Sequence, residues 1–339
     1  MRKLRIAQVG CGGRGMGHLQ AIQNAPNVEL VALCEMDAAK LRAAGEHFGV
    51  SNLYSDMAAM IRETQADLIS IITPPTLRLA VIKPAIDAGA RAILIEKPLA
   101  LTPSEARELA VLGRETFIAV NTQYGWMPHW SALWPRLKSG VLGEIRDIRA
   151  STRCNILEQG PHIIALALEA ARLSGLPDPQ WVLAAGNGLE FFGKTPVPAD
   201  TTALIGLGEA RLHLDCGLPA PRVPGEKSHY LEIQVEIVGS KGRFHASLTQ
   251  GWSLETASGI ESGPTGWPAG DIDAQPALFE ALREAILGQT TANFPTRVEV
   301  ANTQTQLLFA CYASIVERKR IELPRDFEDS IVENLQVLA

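Results

Sequence analysis

The stretch Leu4-Arg5-Ile6-Ala7-Gln8-Val9-Gly10-Cys11-Gly12-Gly13-Arg14-Gly15 decides the fold of the first part of the chain. Its mostly apolar first six residues are typical of a buried strand, and a Gly-x-Gly-x-x-Gly motif follows ahead of a helical pattern. In this context Gly10 permits a tight turn, Gly12 lets a ligand approach the backbone, and Gly15 allows close packing of helix on strand. The helix amino terminus presents unpaired N–H groups to phosphates. We therefore expect a dinucleotide at this loop.

An acidic residue at the end of the next predicted strand indicates which dinucleotide binds. Glu35 follows Val28–Cys34, about 20 residues beyond the last glycine of the motif. A carboxylate there accepts hydrogen bonds from ribose hydroxyls and repels a 2′-phosphate, so we expect NAD(H) to be favoured over NADP(H). Arg14 is able to approach a phosphate, so use of both NAD(H) and NADP(H) stays open. Asp37 is expected to cap the helix that follows.

Strands and helices alternate through the first 122 residues. The predicted strands are Leu4–Val9, Val28–Cys34, Leu68–Ile72, Ala92–Ile95 and Phe117–Val120. The predicted helices are Met16–Asn24, Ala38–Phe48, Met57–Glu63, Leu77–Ala88 and Pro103–Leu112. Near-continuously apolar strands joined by helices predict an α/β fold, with a doubly wound parallel sheet of the Rossmann type over residues 1–122.

The pattern changes after Asn121, and residues 123–339 are expected to form a second domain. Its first predicted elements are the helices His129–Lys138 and Pro161–Leu173 and the strands Glu144–Cys154, Trp181–Gly186, Thr202–Gly206, Ala210–Asp215, Leu231–Val238 and Gly242–Ser247. Gly- and Pro-rich loops are predicted at 219–227 and 258–273, followed by the helices Pro276–Leu287 and Val298–Arg318. Strands that follow one another without helices predict an α+β domain with a mainly antiparallel sheet.

Length and composition narrow the class of protein. A chain of 339 residues exceeds what one hydrophobic core usually serves, and the net charge of −6 without a Lys/Arg cluster disfavours nucleic acids and acidic membranes. No apolar run approaches the roughly 20 residues of a membrane span, and because the amino terminus enters a predicted strand at once, we expect no signal peptide. The five cysteines are odd in number and form no Cys-x-x-Cys pair, so we expect a reduced, cytoplasmic protein. The histidines show no ligand spacing, and no catalytic metal is expected.

A second stretch, Arg91 to Pro98, carries the strongest sign of chemistry. A short apolar strand runs directly into Glu96-Lys97-Pro98. Ligands bind beyond the carboxyl ends of parallel strands, where a rigid scaffold would hold Lys97. The alternative is a surface lysine that ends a strand. The glycine motif in the same domain favours a functional lysine.

These motifs together resemble the glucose–fructose oxidoreductase, inositol dehydrogenase and rhizopine catabolism (Gfo/Idh/MocA) family. The resemblance rests on the glycine motif, Glu35, Thr73-Pro74, Glu96-Lys97-Pro98 and Gly160-Pro161-His162. It implies a nicotinamide in the cleft between the two domains, and a large open sheet in the second domain that supports a homo-oligomer, a dimer or a tetramer. The cofactor contacts that it implies are Gly10, Cys11, Gly12, Gly13, Arg14, Glu35, Thr73, Pro74, Glu96, Lys97, Asn121 and Gln123.

The resemblance also implies catalytic roles for Lys97, His162 and Glu158. Lys97 would contact the substrate hydroxyl or help to move its proton, and Glu158 takes the place of an aspartate found in many members. A histidine such as His162 is suited to accept the proton when an alcohol is oxidised. Glu158 would meet His162 across one turn if the helix includes both. The alternative for His162 is a helix-terminal histidine without a role.

Three positions depart from the family pattern. Arg78 stands where a histidine is frequent, Gln123 where an arginine is usual, and Ala165 where an aspartate commonly follows the second-domain histidine. Each change removes a polar group that the family usually has near the cleft. The changes leave open whether the chain has a new substrate or has lost activity.

The leading hypothesis is an NAD(H)-dependent oxidoreductase that acts on a hydroxyl or ketone of a sugar, cyclitol or related polyol. One alternative is a non-catalytic NAD(H)- or sugar-responsive regulatory or scaffold protein of the same fold. Another is an enzyme of the same fold that reduces a compound other than a sugar, such as an imine, a tetrapyrrole or an aromatic diol. Trp126, Trp130 and Trp134 recur every four residues, which indicates either a packed helix face or an aromatic platform for a substrate.

Overall fold

The computed structural model describes residues 2–339, without the side chain of Asp273. The chain forms two compact units. Unit 1 comprises residues 2–101, Glu105–Gln123 and Ile272–Asn302, and unit 2 comprises Thr102–Ser104, Tyr124–Asp271 and Thr303–Ala339. Each unit has its own sheet.

Unit 1 contains a six-stranded parallel sheet in the strand order β3-β2-β1-β4-β5-β6. Its strands are β1 (Leu4–Val9), β2 (Val28–Cys34), β3 (Leu53–Tyr54), β4 (Leu68–Ile71), β5 (Ala92–Glu96) and β6 (Phe117–Asn121). The helices that alternate with them are α1 (Gly13–Asn24), α2 (Ala38–Phe48), α3 (Met57–Thr64), α4 (Arg78–Asp87) and α5 (Pro103–Leu112). This is the doubly wound Rossmann order, and it brings the carboxyl ends of β1, β4, β5 and β6 to one edge. The predicted parallel sheet is confirmed.

One late segment, Ile272–Asn302, belongs to unit 1. The domain boundary expected at residue 122 would place this segment in the second domain. Its contacts explain the grouping. The Glu280 carboxylate accepts hydrogen bonds from the backbone and side chain of Asn27, at 2.8 and 3.1 Å. The backbone N–H of Val120 in β6 donates to the carbonyl of Thr296 at 2.8 Å. Such contacts join residues far apart in sequence, which local patterns do not show.

Unit 2 is built around a nine-stranded sheet in the order β14-β13-β12-β11-β7-β10-β9-β8-β15. The elements from residue 128 onward are α6 (Pro128–Lys138), β7 (Ile145–Thr152), α7 (Gly160–Leu173), β8 (Trp181–Phe192), β9 (Thr195–Leu207), β10 (Ala210–Cys216), β11 (Ile233–Gly239), β12 (Gly242–Ser247), β13 (Gly251–Thr256), β14 (Gly259–Gly263), α8 (Ala269–Leu287), α9 (Val298–Glu317), β15 (Ile321–Glu322) and α10 (Ser330–Glu333). The pairings are antiparallel apart from β10 with β7. The expected mainly antiparallel sheet with helices is therefore confirmed.

The expected loop at 258–273 is wrong in part. Strand β14 occupies Gly259–Gly263 and pairs with β13, and α8 begins at Ala269 with Pro276 inside it. The sequence of β14 does not indicate a strand because two of its five residues are glycine, which is depleted in strands. Because proline favours the first turn of a helix, the sequence predicts a helix that starts at Pro276, whereas α8 begins seven residues earlier.

The tryptophans near the start of unit 2 favour packing over a substrate platform. Trp130 is buried, and its ring stacks on Trp134 with centroids 5.0 Å apart and contacts Phe244 at 5.1 Å. Trp134 donates to the carbonyl of Gly125 at 2.9 Å. These contacts fix α6 within unit 2.

Two kinds of feature, membrane-spanning helices and groups of metal-binding side chains, are absent from residues 2–339. No helix is both long and apolar enough to cross a membrane. No three His, Cys, Asp or Glu side chains are grouped in a way that would hold a metal ion.

Candidate functional site

The glycine loop between β1 and α1 has the geometry of a phosphate cradle. Gly10 has φ +96°, and a Cβ there would lie 2.3 Å from the carbonyl oxygen of Ile72. A Cβ on Gly15 would lie 2.3 Å from the carbonyl oxygen of Gly10. A Cβ on Gly12, by contrast, would meet nothing within 4 Å. The outer glycines therefore permit close packing, and the backbone at Gly12 is open to a ligand.

A buried glutamine that belongs to none of the predicted motifs holds this loop. Gln8 in β1 is fully buried, and its Nε2 donates to the carbonyls of Gly10 and Gly15, each at 2.9 Å. The first residues of α1 carry no acidic side chain, and the Gly12 N-cap makes no side-chain cap. The N–H groups of the first turn therefore remain available to an anion. The polar residues of β1 are Arg5 and Gln8, and the place of Gln8 two residues before the first glycine of the motif is its signal in the sequence.

Glu35 is fixed beside the same loop. Its carboxylate accepts hydrogen bonds from the backbone N–H of Cys11 at 2.9 Å and of Asp37 at 3.1 Å. Partial burial raises the pKa of Glu35, but these backbone hydrogen bonds outweigh it and leave the pKa below its ordinary value. Glu35 is therefore ionised at neutral pH. Asp37 caps α2 as predicted, accepting from the backbone of Ala39 at 2.9 Å.

The carboxylate of Glu96 is the centre of a buried network at the end of β5. Its Oε1 accepts from Arg14 Nε at 2.8 Å, from His18 Nε2 at 2.6 Å and from Asn121 Nδ2 at 2.7 Å. Its Oε2 accepts from the backbone N–H of Lys97 at 3.2 Å. One carboxylate thus connects the glycine loop, helix α1, strand β6 and the Lys97 turn.

The charges in this network follow from burial and pairing. Burial raises the pKa of Glu96, but hydrogen bonds from His18 and the charge of Arg14 outweigh burial and hold it well below its usual range. Burial lowers the pKa of His18 more strongly than Glu96 raises it. The network therefore contains an ionised Glu96 paired with Arg14, and neutral His18 and Asn121 as hydrogen-bond donors.

Arg78, which stands where the family frequently has a histidine, contacts the backbone of two loops of unit 1. It is fully buried, and its guanidinium donates to the carbonyls of Thr73 at 3.3 Å, of Pro98 at 3.2 Å and of Glu96. The side chain therefore joins the loop after β4 to the turn after β5. Lys97 itself is half-buried within that turn, and the Lys97–Pro98 peptide bond is cis.

The remaining predicted cofactor contacts fall at the same sheet edge. Thr73 and Pro74 follow β4, with Thr73 half-buried and Pro74 exposed. Asn121 ends β6 and is directed at Glu96, and Gln123 is buried two residues later. The structure thus brings together the predicted cofactor contacts of unit 1.

The predicted catalytic residues His162 and Glu158 belong to unit 2. His162 lies in the first turn of α7, is buried, and stacks on Tyr124 with ring centroids 4.2 Å apart. Helix α7 begins at Gly160, so Glu158 precedes it and the expected one-turn pairing with His162 does not follow from helical geometry. Asn155 accepts from the backbone of Glu158 at 3.0 Å and fixes that turn. Ala165 is buried on α7.

Comparisons with known proteins agree with this geometry. A family model described as the oxidoreductase family with an NAD-binding Rossmann fold (Gfo/Idh/MocA) matches residues 4–122. A D-apiose dehydrogenase of Paraburkholderia graminis is 34% identical over 145 residues, which are 42% of this chain and 38% of the relative. A D-glucoside 3-dehydrogenase of Escherichia coli is 28% identical over 158 residues, which are 45% of each chain. The matched region thus spans less than half the length of these relatives.

The fold extends over the whole chain. A crystal structure of an oxidoreductase from Agrobacterium radiobacter, in complex with NAD+, L-tartaric acid and magnesium, superposes with a TM-score of 0.77 at 19% identity. The superposition covers 94% of this chain and 98% of that one. The superposition shows the fold, and residues 4–122 match the model of the Gfo/Idh/MocA family of oxidoreductases with an NAD-binding Rossmann fold.

Proposed function

We propose that the chain is an NAD(H)-dependent oxidoreductase acting on a secondary alcohol or ketone of a sugar, cyclitol or related polyol. The observation that carries this proposal is the carboxylate of Glu96. It joins Arg14 of the glycine loop to the backbone of Lys97, at 2.8 and 3.2 Å. A dinucleotide loop and a lysine-bearing turn are thus fixed to each other at one sheet edge. The relatives' names support the substrate class, since they are a D-apiose dehydrogenase and a D-glucoside 3-dehydrogenase.

The residues of the glycine loop fit a dinucleotide. We infer that Gly10, Cys11, Gly12, Gly13 and Arg14 bind the pyrophosphate, since the backbone at Gly12 is open and the N–H groups of α1 are available. When bound, the nicotinamide supplies the hydride acceptor or donor.

Glu35 supports NAD(H) over NADP(H). Its ionised carboxylate is held by the backbone of Cys11 and would accept hydrogen bonds from ribose hydroxyls. A 2′-phosphate at the same place would meet a fixed negative charge. We also propose that Thr73, Pro74 and Gln123 contact the cofactor.

The proton is handled by the chain's own side chains. We infer that Lys97 polarises the substrate oxygen and stabilises its developing charge, and that His162 accepts the proton as the hydride leaves carbon. Tyr124 supports this role because its ring stacks on His162 and restrains the imidazole plane. Glu158 is proposed to bind a neighbouring hydroxyl of the substrate.

We propose that Glu96 and Asn121 have a structural role and not a cofactor-binding one. Both side chains are buried and bonded to each other at 2.7 Å, so we propose that they support the Lys97 turn and do not bind the cofactor with their side chains. This differs from the contact that the family resemblance implies.

The test combines cofactor binding with turnover. Titration of NADH and NADPH against intrinsic tryptophan fluorescence measures both dissociation constants, and a panel of sugars and cyclitols with NAD+ measures oxidation. Lys97→Ala is expected to lower kcat/KM by about 10² or more, and Lys83→Ala, on the surface of α4 in an ion pair with Glu108, serves as the control. Oxidation that survives in Lys97→Ala contradicts the mechanism. Binding of NADH without any turnover favours the regulatory alternative.

We also infer that copies of the chain assemble through the sheet of unit 2. A second inference is that the protein resides in a reducing compartment. Residues of β10 alternate between buried and half-exposed, which leaves one face of that strand available to a second copy. All five cysteines are free thiols, as expected for a cytoplasmic protein. Analytical ultracentrifugation tests the first inference, since a monomer at micromolar concentration contradicts it.

A further inference from the structure

Arg78 holds the backbone on both sides of Lys97. Its Nη2 donates to the carbonyls of Glu96 and Pro98, and its Nη1 donates to the carbonyl of Thr73. Glu96 and Pro98 are the two neighbours of Lys97 in the chain. A single side chain thus sets the carbonyl groups that flank the lysine.

The N–H group of Lys97 is held as well. It donates to Oε2 of Glu96 at 3.2 Å, and the other oxygen of that carboxylate is fixed by His18 and Asn121. The turn therefore has polar restraints on both of its sides: Arg78 holds the carbonyls and Glu96 holds the amide. The direction in which the Lys97 side chain leaves the backbone depends on both.

Packing alone does not account for a buried arginine at this place. Burial lowers the pKa of Arg78 to about 10, against the opposing effect of Glu96 and Glu105, so the guanidinium stays charged at neutral pH. Its guanidinium donates to neutral backbone carbonyls, and burying a charge there is costly compared with an apolar side chain of similar size. A lysine would be a point charge, whereas the planar fork of arginine spans three carbonyls at once.

We propose that Arg78 is a positioning residue that acts through Lys97. It fixes the Glu96–Pro98 turn so that the Lys97 amine is delivered to the reacting oxygen, and its bond to Thr73 fixes the loop after β4 to the same fork. Because the guanidinium is buried and bonded to backbone, it does not touch the substrate. This inference rests on the proposed function, in which Lys97 handles the oxygen and its proton.

The first experiment separates positioning from folding. Arg78→Met and Arg78→Lys are compared with Arg283→Met, since Arg283 is also a buried arginine of unit 1 and its Nε donates to the carbonyl of Arg2 at 3.2 Å. We expect Arg78→Met to lower kcat at least 30-fold, with KM and the NADH dissociation constant within threefold of wild type. The kcat of Arg78→Lys is expected to lie between those of wild type and Arg78→Met. If Arg78→Met does not fold, Arg78→Lys is compared with wild type in its place. Arg283→Met is expected to lower the free energy of unfolding but to keep kcat within twofold.

A double-mutant cycle tests whether Arg78 acts through Lys97. In a Lys97→Met background, Arg78→Met is expected to change kcat/KM by less than threefold, because the group that it positions is gone. The same 30-fold loss in both backgrounds overturns the proposal, since it would show a general structural effect.

A third measurement does not depend on turnover. Hydrogen exchange at the backbone amide of Lys97 is expected to be at least tenfold faster in Arg78→Met than in wild type, and unchanged in Arg283→Met. If the wild type oxidises no polyol, the proposed function fails, and this exchange rate alone decides the role of Arg78. Unchanged exchange at Lys97 overturns the inference whatever the enzyme does.

Discussion

The carboxylate of Glu96 lies 2.6 Å from Nε2 of His18, and the histidine is fully buried. Burial lowers the pKa of His18, so the imidazole is neutral and donates its Nε2 proton to the carboxylate. The positive charge that balances Glu96 then comes from Arg14, whose Nε is 2.8 Å away. The ion pair of the network thus reaches into the loop proposed to bind the pyrophosphate.

Replacing this carboxylate by an amide is expected to destabilise unit 1. In Glu96→Gln one end of the side chain becomes a donor, and it must face donors from Arg14 and His18 or from the Lys97 backbone. We expect a loss of about 3 kcal/mol in the free energy of unfolding, since a buried ion pair loses one partner. Urea denaturation measures it. The control is Glu46→Gln, an exposed position on α2, which is expected to change stability little.

The same variant has a pH signature. The folded-state pKa of Glu96 lies below the unfolded value of 4.5, so its contribution is fully present above pH 4.5. It is lost as the pH falls from there towards the folded-state pKa. The stability difference between wild type and Glu96→Gln is therefore expected to shrink below pH 4.5. A difference that stays constant from pH 7 to pH 3 contradicts the assignment of an ionised Glu96.

Two glycines of α1 are expected to respond oppositely to alanine. A Cβ on Gly15 would lie 2.3 Å from the carbonyl oxygen of Gly10, whereas a Cβ on Gly17 meets nothing within 4 Å. Gly15→Ala must therefore move the loop, and we expect at least a tenfold loss of NADH affinity. Gly17→Ala is expected to stabilise the helix by up to about 1 kcal/mol and to leave NADH binding unchanged. Equal effects of both variants on NADH binding would show that the close approach at Gly10 does not shape the cradle.

The strands of unit 1 were predictable because buried parallel strands are continuous apolar runs. Strands Leu4–Val9 and Val28–Cys34 have the predicted ends, whereas the two-residue strand Leu53–Tyr54 is too short to give a pattern. Strand Gly259–Gly263 escaped prediction because its pairing with β13, and not its composition, makes it a strand.

The residues of the candidate site that belong to sequence motifs were predictable, and the residues that support them were not. Glu35 lies at the expected distance from the glycines of the motif. The hydrogen-bond network around Glu96, by contrast, was not predicted. His18 is 78 residues from Glu96 in the sequence, and Arg78 is 18 residues from it. Such contacts depend on which strands become neighbours. The sheet order β1-β4-β5-β6 brings these residues together, and local sequence patterns do not predict that order.

Removing the charge of Glu35 is expected to change cofactor preference. In Glu35→Gln, the amide oxygen still accepts from one backbone N–H, but the negative charge that would repel a 2′-phosphate is lost. We expect the ratio of NADPH to NADH affinity to rise at least tenfold, measured by tryptophan fluorescence. Asp37→Asn is the matched control, because Asp37 caps α2 with hydrogen bonds of 2.9 and 3.1 Å and has no proposed contact with the cofactor. Wild-type protein that binds NADPH more tightly than NADH contradicts the role of Glu35.

His129 is expected to make unit 2 sensitive to mild acid. It lies on α6 beside a cavity of about 10 Å³, room for roughly one water molecule, that Trp130 and Leu166 also line. Burial lowers the pKa of His129 to about 4 from 6.5. Between these two values the unfolded state binds more protons than the folded state, so the free energy of unfolding falls as the pH drops from 6.5 to 4. The full effect is at most about 3 kcal/mol.

His129→Gln removes this titration, and His18 and His245, whose pKa values burial also lowers, keep theirs. We therefore expect the variant to lose less stability than wild type between pH 6.5 and 4, by urea denaturation at each pH. His47→Gln, at an exposed position on α2, is expected to follow the wild-type curve. If His129→Gln also follows that curve, the imidazole is not held neutral by its surroundings in unit 2, and the acid sensitivity must come from the other buried groups.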